Sequence, residues 1–182
     1  MRMRALWIGI LAAAACVAAT EPAVPLATLK AVESSINDRL RSNIADPYDL
    51  LGPARGTYAE GYGAIFSVEV NLTLLPPLAF SPFNPTLKDA DIAKLRERKI
   101  QKLVSLRGTM RELMAGAGRT LSGMPGNEMV VLEAFLFSYR WEDSRGIPHR
   151  LVLSAPKQAL LDAVGRHASP AEIAGLIEEQ EL

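Results

Sequence analysis

Residues 66–74, Phe-Ser-Val-Glu-Val-Asn-Leu-Thr-Leu, alternate apolar and polar side chains without a break. Two is the side-chain period of an extended strand. Phe66, Val68, Val70, Leu72 and Leu74 therefore point one way, and Ser67, Glu69, Asn71 and Thr73 the other. Burying each of the five apolar side chains is worth at most about 1.5–3 kcal/mol. A chain holding such a strand has to supply a layer to cover its apolar face, and the rest of the sequence is read for that layer.

Two other stretches read as strands. Met129 to Trp141 carries Val131, Phe135, Phe137, Tyr139 and Trp141 on one face and Val130, Leu132, Ala134 and Leu136 on the other. Apolar residues on both sides predict a central strand covered on both faces for much of its length. A polar turn over 142–148 leads into Arg150–Ser154, with Leu151 and Leu153 inward, which is the best hairpin signal in the chain. Gly61 and Gly63 precede the alternating strand. They are expected to bend one long strand; the alternative is a hairpin with Thr57–Glu60 as a short partner.

The covering layer is helical. Leu26, Leu29, Val32, Ile36 and Leu40 form one stripe over Leu26–Arg41. The longest helix is predicted from Thr86, capped there with Asp89 and Asp91 in the first turn, to about Leu121. Its stripe is Ile92, Leu95, Leu103, Leu106, Met110, Leu113 and Ala117; Lys99 interrupts it, and Gly116 and Gly118 are expected to end it. A third helix begins at Pro156. A fourth begins at the capping box Ser169-Pro170-Ala171-Glu172, with Ile173, Leu176 and Ile177 inward and Glu178, Glu179 and Glu181 on a fraying end. The fold class that follows is α+β: a small antiparallel or mixed sheet of three to four strands with helices mainly on one face.

Residues 1–19 read as a secretory signal peptide: a basic start, an apolar run from Ala5 to Val17, and small residues before Thr20. Residues 20–182 then form a single domain, expected to be exported to a periplasm or the exterior. Cys16 is the only cysteine, and lipid anchoring through it is the alternative to cleavage after Ala19. Without Arg2 and Arg4 the chain has 18 basic and 20 acidic residues, a balance unlike that of a nucleic-acid binder. No further stretch is apolar enough to cross a membrane, and the mature part holds no disulfide, thiolate nucleophile or cysteine zinc site.

Catalytic patterns are sparse. There is no Gly-x-Ser-x-Gly turn, no phosphate loop and no His-Glu-x-x-His; the two histidines, His149 and His167, stand far apart in sequence. No cofactor is expected. Asn71-Leu72-Thr73 matches a glycosylation sequon but lies within the strand. The leading expectation is a non-catalytic, exported domain that binds a protein partner or an envelope surface. Three surfaces are proposed for it: the Pro-rich segment 75–85 with Phe80 and Phe83, the glycine segment with Tyr58 and Tyr62, and the basic helix face Lys94–Lys102 with Lys94, Arg98 and Lys102. The alternatives are a metal-independent hydrolase using Glu69 and Glu133, and a peripheral binder of anionic lipid through that helix.

Overall fold

The structure, a computed structural model, describes residues 24–42, 47–74 and 88–182. Residues 1–19, which read as a signal peptide, with Cys16 among them, and the Pro-rich segment with Phe80 and Phe83 lie outside the described residues, as does Thr86. In chain order the elements are α1 (Leu26–Arg41), β1 (Asp49–Leu50), β2 (Arg55–Ala59), β3 (Gly63–Asn71), α2 (Asp89–Thr120), β4 (Met129–Leu136), β5 (Arg150–Pro156), α3 (Lys157–Gly165), α4 (Pro170–Ala174) and β6 (Glu178–Glu181).

The alternating segment, β3, is central. β1 and β2 lie in tandem along one side of it, both antiparallel. On its other side β4 runs parallel, in register from Gly63↔Met129 to Val70↔Leu136, so α2 is the crossover of a β–α–β unit. β5 pairs antiparallel with β4, and β6 antiparallel with β5. The mixed sheet therefore has six strands, not three or four. The additional strands come from segments whose sequence reads otherwise. β1 has only two residues, inside what reads as a turn-rich connection. β6 is the acidic stretch expected to be a fraying helix end. α4 stops at Ala174, and Arg107 of α2 then pairs with Glu179 (2.9 Å) and with Glu181, while Arg111 pairs with Glu179 (2.7 Å). Those guanidinium groups remove the repulsion that makes an acidic run a poor strand.

Gly61 and Gly63 form a hairpin and not a bend. The turn between β2 and β3 places Gly61 at φ +80°, and the Tyr62 N–H donates to the Ala59 carbonyl at 3.0 Å. Gly63 has φ +138°, and a Cβ there would lie 1.9 Å from the Met129 carbonyl oxygen. It is glycine because the β3 and β4 backbones approach where a side chain would be.

One face of the sheet meets the helices. Phe66, Val68 and Val70 of β3, Val130, Leu132 and Leu136 of β4, and Leu151 and Leu153 of β5 are buried with Leu29, Val32, Ile36 and Leu40 of α1 and Leu103, Leu106, Met110 and Leu113 of α2. α3 and α4 pack on α2. Gly118 does not end α2; its missing side chain lets Leu160 of α3 come within 3.1 Å of the position a Cβ would take. The capping box of α4 forms as read, with Ser169 N–H donating to Glu172 Oε2 at 2.8 Å.

The opposite face carries no helix. β4 is expected to be covered on both sides for much of its length; Val131 is buried on this face, but Phe135 is 39% exposed and the strand ends at Leu136, before Phe137, Tyr139 and Trp141. Those three rings instead contact one another: Phe137 meets Tyr139 edge to face with centroids 4.8 Å apart, and Tyr139 stacks on Trp141 at 5.5 Å.

The outer edge of the sheet is closed by α1. Hydrogen-bonded pairs alternate along an antiparallel ladder, so every second N–H of an edge strand points away from the sheet. Here Ala54 N–H donates to Asn37 Oδ1 at 2.9 Å and Gly56 N–H to Glu33 Oε1 at 2.8 Å. Four residues of helix rise about 6 Å and two residues of strand about 6.7 Å. Glu33 and Asn37, one turn apart, therefore match two successive outward donors.

Candidate functional site

The uncovered face has one row where register decides the chemistry. Glu69 of β3 stands beside Phe135 of β4, which stands beside Arg150 of β5. The Arg150 guanidinium carbon lies 5.8 Å from the Phe135 ring centroid, a cation–π contact, and its Nη1 lies 3.9 Å from Glu133 Oε1. Glu69 is exposed and makes no ion pair among the described residues.

Two grooves meet at this row. One, of about 260 Å³, is lined by Gly52, Pro53, Arg55, Ser67, Glu69 and Phe135. The other, of about 250 Å³, is lined by Leu51, Glu69, Phe135, Phe137 and His149. The edge strand causes the first: Leu51 to Ala54 separate β1 from β2, and Pro53 has no N–H to give the ladder. The second lies where β4 ends. Leu51 and Phe137 are exposed there beside Phe135. The arrangement offers apolar contact area flanked by the carboxylates of Glu69 and Glu133 and the guanidinium groups of Arg55 and Arg150. Glu69 and Glu133 share this face on neighbouring strands, one row apart, with Glu133 held toward Arg150.

The residues singled out from sequence are dispersed. Tyr62 is exposed in the β2–β3 turn. Tyr58 is half-buried, and its hydroxyl donates to Glu128 Oε1 at 3.2 Å; the same oxygen accepts the Gly61 N–H at 2.9 Å. Burial, with the Glu128 carboxylate beside it, raises the Tyr58 pKa and keeps the phenol a donor. Lys94 and Arg98 are exposed on α2, but the basic helix face is not one surface. Lys102 is buried, donating to the Pro47 carbonyl at 2.6 Å with its ammonium 4.6 Å from the Tyr48 ring centroid. Arg96 Nε donates to the Arg145 carbonyl at 2.8 Å. Lys99, which interrupts the apolar stripe, is fully buried and bonds Glu142 and the Phe137 carbonyl, the latter at 3.3 Å. His149 and His167 are both exposed and lie on separate elements. The sequon residues Asn71 and Thr73 are each 1% exposed, and Thr73 N–H donates to Asn71 Oδ1 at 3.4 Å, so that asparagine is occupied internally.

A second set of buried polar groups lies at the other end of β4. Lys157 donates to the carbonyls of Ser122 (3.1 Å) and Met124, and desolvation lowers its pKa against the opposing charge of Glu128. Each of these groups serves an internal bond, and no groove described above opens onto them. Among the described residues no three His, Cys, Asp or Glu gather as a metal site, and no helix is long and apolar enough to cross a membrane.

No protein-family model, curated protein or solved structure matches this chain. The site thus stands on its own geometry. Sequence reading missed it because Phe135 was assigned to a covered face. The available signal was the row of residues opposite the core-facing set, where Ser67, Glu69 and Glu133 mark a wet side of both strands.

Proposed function

We propose that this chain is a non-catalytic interaction domain, exported by its N-terminal leader, that docks a protein partner through the uncovered sheet face. One observation carries the reading: Phe135, Phe137 and Leu51 are exposed together at two adjoining grooves on the only broad face the helices leave open among the described residues. A large aromatic anchor inside a polar rim is the usual centre of a protein interface. This surface is preferred to the basic helix face, one of the three read from sequence, since Lys99 and Lys102 are committed to internal bonds.

Site-specific photo-crosslinking in cells producing the full chain tests this. A photoreactive residue at position 135 is expected to give a discrete protein adduct. The same residue at position 104, an exposed site on α2, is expected to give none. Absence of an adduct at 135, or equal labelling at both positions, overturns the reading.

A further inference from the structure

The row Glu69–Phe135–Arg150 is self-complementary. Its members sit on three neighbouring strands in direct register, with an exposed ring at the centre, an acid one strand to one side and a base one strand to the other. Strand spacing is about 4.8 Å, so the acid and the base flank the ring at equal distances. A two-fold axis parallel to the strands, passing above Phe135, lays one copy of the row on another. Phe135 then meets Phe135, and each Glu69 meets the other copy's Arg150. Closed dimers are built on such axes, because an isologous patch must contain its own complement.

We infer that the partner is a second copy of this chain, packed face to face across the open sheet on that axis. The inference rests on the docking surface proposed above. Neighbouring rows suit the packing. Ile65, Ser67, Val152 and Ser154 are small or branched and partly exposed on the same face, and Val131 between them is buried. Glu133 meets its counterpart near the axis, a like-charge contact that opposes the packing and that Arg150, 3.9 Å from Glu133 and shared with the other copy's Glu69, offsets in part. Four strand spacings by seven residues outline a face of roughly 19 by 23 Å in projection. That projection is about half of the roughly 800 Å² per partner of a standard interface, so a weak, concentration-dependent dimer is expected.

Charge reversal gives a test whose outcomes separate. Glu69→Arg alone sets Arg against Arg150 in a dimer, and Arg150→Glu alone sets Glu against Glu69. Each is expected to weaken self-association at least about tenfold, read by sedimentation velocity across a concentration series. Mixing the two single variants one to one restores both opposite-charge pairs, so the mixture is expected to sediment as a dimer. Circular dichroism of each variant establishes that it is folded. A wild-type chain that stays monomeric throughout the series overturns the inference, as does a mixture of folded variants that stays monomeric. If the wild type is monomeric while the crosslinker at position 135 captures a different protein, the second copy is excluded and the docking surface stands. If position 135 captures nothing, the docking surface itself fails.

Discussion

His167, with φ +55°, is the one non-glycine residue at positive φ among the described residues. It follows the end of α3, where its N–H donates to the Val164 carbonyl at 3.1 Å and the Ala168 N–H to the Ala163 carbonyl at 2.9 Å. This double bond pattern is the Schellman ending, whose left-handed position favours glycine. An L side chain there costs about 1–2 kcal/mol, and glycine returns part of that as unfolded-state entropy. His167→Gly is therefore expected to raise stability by about 0.5–1 kcal/mol, measured as a higher urea midpoint at unchanged slope; a lower midpoint would contradict the assignment. The backbone of His167 carries this ending, and nothing in the sequence around it marks the left-handed position. Lys99 was legible only as a defect in a stripe, because a lysine at a core position needs an acid from a distant segment, and sequence spacing does not announce Glu142.

At the scale of elements, α1 is the clearest success of periodicity: its bounds follow from the apolar stripe. What periodicity omits is the margin of that stripe. Glu33 and Asn37 lie outside the stripe, yet they cap Gly56 and Ala54, since a bare strand edge needs acceptors that only a neighbouring element can bring. Burial alone would push the Glu33 pKa up. The hydrogen bonds from Lys30 and the Gly56 N–H, with the charges of Lys30 and Arg55, outweigh it and hold the carboxyl below its ordinary value. A lowered folded-state pKa contributes stability that is complete above the unfolded value of about 4.3 and is lost as pH falls through the folded value. The advantage of the wild type over Glu33→Gln, read by urea denaturation, is therefore expected to be largest at neutral pH and to shrink as pH falls below about 4.3. A pH-independent difference would show that the charge of Glu33 has no part in it. The parallel pairing of β3 and β4 was implicit in a strand–helix–strand order, but the hairpin after β4 drew the reading toward antiparallel neighbours. β6 was not legible, because its stabilising cations lie on α2, some seventy residues earlier in the chain.

For the whole molecule, the two layers are joined by a buried ion pair as well as by the core. Lys99 of α2 reaches Glu142 in the connection between β4 and β5, and both side chains are almost fully buried. Removing one partner leaves an uncompensated charge, so Lys99→Met is expected to cost about 3–5 kcal/mol, while Lys99→Met with Glu142→Leu recovers most of that loss. Equilibrium urea unfolding of the three chains checks this; equal losses in the single and double variants would show that the pair does not act as a unit. The two-layer arrangement was legible from patterns of period two and 3.6. Which sheet face stays open was marked by Ser67, Glu69 and Glu133, but Phe135 and Phe137 look as apolar in sequence as the core-facing set and mask that signal. The closure of the sheet edge by α1 also bears on how the chain is made. Synthesis delivers residues 26–41 before residues 55–71, so the helix that shields the border is available by the time the border exists. A growing polypeptide on the ribosome thereby avoids presenting an adhesive strand to its neighbours on the same message.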